Sequence, residues 1–187
     1  GRGYLRKNVA IVLQEPFLFS RTIAENISIT QREMPMEEIR QAAKIACVDD
    51  AITEFANGYD TMVGERGVTL SGGQKQRTAI ARMLTQKTPI MVFDDSLSAV
   101  DAETDAKIRQ ALRKNLGDST VILISHRITT LMQAECILVL DKGRVAEMGS
   151  HEGLMRNHGI YRHIYDMQMT MPEASPEALS EEVNLNE

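Results

Sequence analysis

Apolar positions along this chain switch between two periods, and the switches mark its elements. Near the start, Val9, Ala10, Ile11, Val12 and Leu13 form a continuous apolar run, which predicts a short strand over 9–13. Residues 21–29 and 35–48 read as helices. In the second, Ile39, Ala42, Ala43 and Ala46 keep one apolar face, and Pro35 suits a first turn. Residues 49–55 open on Asp49 and Asp50, acids suited to a helix start. A helical stretch over 74–86 follows, and from there helix and strand alternate as in a parallel α/β sheet. Ile90-Met91-Val92-Phe93 reads as a buried strand that ends in Asp94-Asp95. Asp101 can cap a helix in which Ile108, Leu112 and Leu116 recur every fourth residue before Gly117 ends it. Residues 120–124 predict another buried strand. Residues 136–140 and 144–148, joined by Asp141-Lys142-Gly143, predict a hairpin, and Ser150 caps a last amphipathic helix carrying Leu154, Ile160, Tyr161, Ile164 and Tyr165. The end is polar: residues 171–187 hold two prolines, five glutamates and no basic residue, so a disordered tail is expected over 169–187.

Composition narrows the class. With 43% hydrophobic and 25% charged residues over 187 positions, the chain matches one globular domain with a sizeable core. A net charge of −5 and the lack of a basic cluster argue against a nucleic-acid partner. Cys47 and Cys136 lie far apart in apolar surroundings without Cys-x-x-Cys spacing, so buried reduced thiols are expected. No apolar run approaches the roughly 18 residues that cross a bilayer.

Candidate chemistry gathers in two places. Leu70-Ser71-Gly72-Gly73-Gln74-Lys75-Gln76-Arg77 precedes a helix. Backbone N–H groups at a helix start, unobstructed by side chains on the glycines, can seat a phosphate. The same residues can equally be an ordinary helix cap. Asp94, at the carboxyl end of an apolar strand, is where phosphate-handling α/β proteins hold Mg²⁺. Its alternative is a turn or capping acid.

Together these segments resemble the signature and Walker B motifs of the ATP-binding cassette (ABC) family. Gln14-Glu15-Pro16-Phe17-Leu18-Phe19 resembles the family's Q-loop, Ser96-Leu97-Ser98-Ala99-Val100-Asp101 its D-loop, and His126 its switch histidine. Thr61-Met62-Val63-Gly64-Glu65-Arg66-Gly67 is similar to an exporter loop that touches the membrane domain. The motifs keep the family's order and cover residues 4 to about 168.

The resemblance implies an α/β, P-loop NTPase-like cassette. Residues 1–14 and 81–168 would form the parallel-sheet ATPase core and residues 15–80 the helical subdomain. ATP and Mg²⁺ are the implied cofactors. Asp94 and Gln14 would serve the metal, and Asp95, His126 and Gln14 the hydrolysis. Ser71, Gly72, Gly73 and Gln74 would contact ATP held by the opposite cassette, and Asp101 would either merely cap its helix or both cap it and face that partner. The implied partners are a second cassette and a membrane domain fused upstream, which would place the protein at the cytoplasmic face of the cell membrane.

Two departures stand out. No Gly-x-x-x-x-Gly-Lys-Ser/Thr occurs in these residues, so the P-loop strand that the family places before the Q-loop is missing from them. The piece by itself is expected to bind ATP poorly, to hydrolyse essentially none, and to expose strand edges that favour self-association. Asp95 stands where most active members carry Glu, withdrawing the carboxylate by on the order of 1 Å, and a misplacement of that size can cost around 10²-fold in rate. An intact signature beside a weakened carboxylate matches the family's asymmetric exporters, so one half of a heterodimer is expected. The alternative is a non-catalytic remnant that serves as a dimerisation or interaction module.

Overall fold

A computed structural model describes residues 1–170 apart from 32, 65–68, 98–99, 116 and 118. Several expectations therefore lie outside the described residues: the tail at 171–187, Leu116 of the helical repeat, Ser98 and Ala99 of the D-loop-like segment, and Glu65, Arg66 and Gly67 of the exporter-like loop. The chain divides into two compact units, Gly1–His126 and Arg127–Glu187.

The first unit runs α1 (Arg2–Asn8), β1 (Val9–Val12), α2 (Ile23–Ile27), α3 (Met36–Ile45), α4 (Asp49–Thr53), a 3-10 turn at Gly58–Asp60, α5 (Gly72–Leu84), β2 (Ile90–Asp94), α6 (Ala102–Asn115) and β3 (Thr120–Ile124). Its three strands are parallel in the order β1-β2-β3, with Val12 opposite Phe93 and Phe93 opposite Leu123. Because side chains alternate along a strand, the register sorts them onto two faces. Ala10, Val12, Met91 and Phe93 enter a core shared with Ile23, Ile27, Ile39, Ile52, Ile80, Met83, Ile108 and Leu112. Ile11, Ile122 and Ile124 lie on the other face and are exposed. The expectation of a buried strand at 120–124 is thus corrected. Ile122 is 45% and Ile124 50% exposed, since no described element covers that face.

The helices form for local reasons. Thr22 and Glu25 make a capping box on α2: the Thr22 hydroxyl accepts from the Glu25 N–H and the Glu25 carboxylate from the Thr22 N–H. Only five residues of the expected helix at 21–29 are helical. On α3, Ile39, Ala42 and Ala43 are buried on the predicted face. That helix ends where Cys47 adopts a left-handed φ of 54°. Cys47 is half-buried rather than buried, and burial raises its thiol pKa, in keeping with a protonated, reduced sulfur.

In the second unit α7 (Ile128–Leu131) precedes the antiparallel hairpin β4 (Ile137–Asp141) and β5 (Arg144–Gly149), followed by α8 (His151–Arg156) and α9 (Ile160–Thr170). Ile128, Ile137, Leu154 and Tyr161 make its small core. Cys136 is exposed, against expectation: Ile137 enters the core and its immediate neighbours on the chain face away. The single helix expected after Ser150 is two. His158 has a φ of 50° and breaks the helix, and Glu147 on β5 then accepts from the Ile160 N–H at 2.5 Å and the Tyr161 N–H at 3.1 Å, capping α9.

Candidate functional site

Parallel strands deliver their carboxyl ends to one edge of a sheet, where open α/β folds place ligands. Here β1 ends just before Gln14, β2 ends at Asp94 followed by Asp95, and β3 ends two residues before His126. The pairing of Val12 with Phe93 and of Asp94 with Ile124 fixes the register, so Gln14, Asp94, Asp95 and His126 all follow from neighbouring strand ends.

Asp95 is held tightly there. Its φ of 45° is left-handed, a region aspartate enters more readily than most residues. Its N–H donates to the Ile124 carbonyl at 2.8 Å, extending the β2–β3 ladder by one bond. The carboxylate is 15% exposed, and Oδ1 lies 3.2 Å from His126 Nδ1. This contact is an ion pair when the imidazole is charged. The His126 side chain is 68% exposed.

The glycine-rich segment begins α5. Ser71 caps it: its hydroxyl accepts from the Gln74 N–H at 3.2 Å, while Gln74 Oε1 accepts from the Ser71 N–H at 2.9 Å. This reciprocal pair secures two of the N–H groups at the helix start and leaves those of Gly72 and Gly73, in the first turn, outside intrahelical bonding. The space above Gly72 is open, with no atom within 4 Å of where a Cβ would stand. Asp101 likewise caps α6, accepting from the Thr104 N–H at 2.9 Å, and that bond holds its carboxyl below the usual aspartate value.

Sequence reasoning missed the residues that hold the Gln14 loop. Gln76 on α5, 1% exposed, donates Nε2 to the Leu13 carbonyl at 3.1 Å, just before Gln14. Six residues on, Arg82 donates Nη1 to the Phe17 carbonyl at 2.8 Å, within the loop and just after Gln14. Neither had a local signal, because a polar residue on an amphipathic helix normally reads as solvent-facing. Across the loop, Val63 donates to the Arg21 carbonyl and Ile23 to the Thr61 carbonyl, so residues 61–63 lie against 21–23. Pro16, Phe17, Leu18, Val63, Leu70 and Lys75 line an open groove beside them.

A parallel sheet with carboxylates at its carboxyl edge, together with a capped glycine-rich helix start, places the chain among α/β domains of the kind that handle phosphate. The family described as ABC transporter matches residues 2–98. The chain is 48% identical over 164 residues to an uncharacterized ABC transporter ATP-binding protein, YknU, of Bacillus subtilis, covering 88% of this chain and 28% of that protein. It is 43% identical over 168 residues to the leukotoxin translocation ATP-binding protein LktB of Mannheimia haemolytica, covering 89% and 24%. The structure of a bacterial Atm1-family ABC exporter with ATP bound superposes with a TM-score of 0.86 at 42% identity, over 94% of this chain and 30% of that one. This chain therefore belongs to the ABC transporter family and has the fold of its ATP-binding cassette. It spans about a quarter of the length of the curated relatives it matches.

The residues present fit the cofactors that family implies. Among the described residues no group of three or more His, Cys, Asp or Glu forms a metal cage. Mg²⁺ is commonly held by one or two carboxylates with water and substrate phosphates, and Asp94 at the end of β2 is the carboxylate that would serve it. For the nucleotide, the first-turn N–H groups of α5 lie outside intrahelical bonding, and a Cβ at Gly72 would meet open space, so no side chain obstructs a phosphate there.

Proposed function

We propose that this chain is part of the ATP-binding cassette of a membrane exporter, with residues 15–80 as its helical subdomain and 1–14 and 81–168 within its ATPase core. The observation that carries this reading is the shared strand edge from which Gln14, Asp94, Asp95 and His126 follow, with Asp95 and His126 in contact. The translocation and exporter relatives support export over import. Bound with Mg²⁺, ATP supplies a phosphoanhydride whose hydrolysis releases the free energy for transport.

Within that site Asp94 would hold the cation, with Gln14 on the neighbouring strand end. Asp95 would orient the attacking water and take its proton. His126, exposed beside it, would donate to charge developing on the phosphate oxygens. Ser71, Gly72, Gly73 and Gln74 would serve ATP of the opposite cassette, with Asp101 at the same dimer contact, at the cytoplasmic face of a membrane domain on the same polypeptide. Asp95 in place of Glu, beside an intact signature, favours a heterodimer in which this chain's carboxylate marks the slow site.

Two measurements test this. ATP turnover by the full-length protein should be slow alone and restored by the product of its neighbouring gene; fast turnover alone would reject the heterodimer. Ser71→Asp tests the signature. Asp caps a helix as well as Ser does, yet it places a negative charge where a phosphate would sit. Turnover should fall by about 10²-fold or more, with the melting temperature unchanged. Unaltered turnover would leave Ser71 as a cap and nothing else.

A further inference from the structure

From the polar network at the far end of α5 we infer that Arg82 is a positioning residue. It couples the signature helix to the loop after Gln14, so that a shift of the helix at residues 71–74 moves residues 17–22 with it. This rests on the reading of the chain as an ABC cassette.

The guanidinium lies ten residues beyond Gly72, roughly 15 Å along the helix, and spends three donors on three acceptors of Phe17 and Asn26. Nε donates to the Asn26 carbonyl at 2.8 Å, Nη1 to the Phe17 carbonyl at 2.8 Å and Nη2 to Asn26 Oδ1 at 3.0 Å. Its Cζ also lies 5.7 Å from the centre of the Phe19 ring, within cation–π range. Asn26, fully buried, passes the hold on. Its Oδ1 accepts from the Phe19 N–H at 2.8 Å, and its Nδ2 donates to the carbonyls of Phe19 and Thr22 at 2.9 and 3.0 Å. Thr85, one position past α5, adds a hydroxyl bond to the Ile27 carbonyl. With Gln76 fixed to Leu13, one rigid helix grips the chain on both sides of Gln14. Apart from the exposed bond to Phe17 these bonds are at least partly buried, and groups kept from water are costly to leave unpaired. Sliding the helix without the loop would break several at once. Lysine cannot replace the arginine, because a single ammonium cannot span three acceptors arranged for a planar fork.

Hydrogen exchange on the full-length protein, with and without MgATP, reads the coupling directly. In the wild type, MgATP should slow amide exchange at 71–77 and also at 17–22. In Arg82→Lys the slowing at 71–77 should persist, while that at 17–22 shrinks about fivefold or more. Asn26→Asp keeps an acceptor for Arg82 but loses the donors to Phe19 and Thr22, and it should show the same split should the lysine variant fail to fold. A variant in which 17–22 still responds fully overturns the inference. So does one that loses both responses, because Arg82 would then merely support the helix. A wild type responding at 71–77 alone overturns it while leaving the cassette reading intact; a wild type with no response at 71–77 removes that reading and this one together.

Discussion

Replacing Asp95 by Glu sets two effects of different size against each other. One added methylene advances the carboxylate by on the order of 1 Å, and a carboxylate that far from the attacking water can cost around 10²-fold in rate, or about 2.7 kcal/mol of transition-state stabilisation. Against this stands the contact with His126, which the longer side chain would disturb. That pair is 3.2 Å apart, but the imidazole is 68% exposed, so solvent screens it. Exposed pairs contribute roughly 0–1 kcal/mol, no more than about fivefold in rate. Left-handed φ at position 95 penalises Glu slightly more than Asp, but that strain is present before and during the reaction and lowers stability, not turnover. The positioning gain wins. ATP turnover of Asp95→Glu, measured as kcat in saturating MgATP on the full-length protein, should therefore rise by at least about tenfold. If turnover is unchanged or falls, the aspartate already reaches the water, and the slow-site argument for a heterodimer fails.

Three further outcomes follow from the packing. Gly64 has a φ of +115°, and a Cβ there would stand 2.6 Å from Ser20 Oγ and 3.2 Å from Ser20 Cα; Gly64→Ala should cost about 1–3 kcal/mol, read as a lower melting temperature. Asp105 and Arg109 form a two-bonded pair with side chains 6% and 12% exposed. Asp105→Ala should cost about 3–5 kcal/mol by stranding the buried guanidinium, whereas replacing both by apolar residues should recover most of that loss in a denaturant titration. Burial, together with the hydrogen bond it donates to Asp49 at 2.6 Å, raises the Tyr59 phenol above its ordinary value of 10.0. Below that value both states keep the proton; above it the unfolded chain loses the proton first, so stability falls as pH rises. Tyr59→Phe should flatten that alkaline decline, and an equally steep decline in the variant would place its source elsewhere.

What was legible in the sequence follows the range of the forces involved. Strand ends and helix caps are set by neighbours within four residues. Thus β2 stops at Asp94 as its apolar run stops, and Ser71, Asp101 and Ser150 cap the helices they precede. Periodicity failed where it had to report on what lies opposite. Thr120–Ile124 is apolar throughout, and only the register reveals that Ile122 and Ile124 share a face with Ile11 that no described element covers. The break between α8 and α9 hid for a related reason: Gly159 leaves room for the Glu147 carboxylate, which comes from another strand 13 residues earlier, to cap Ile160. Least legible of all was the hold on the Gln14 loop. Gln76 and Arg82 act on carbonyls 63 and 65 residues away, and a backbone carbonyl has no residue type to betray that it is an acceptor. Motifs therefore point to the groups that would touch a nucleotide, because those need particular residue types, reactive side chains or glycines that bare the backbone. The anchors that set where those groups stand can work through any backbone, and they emerge only from the folded chain.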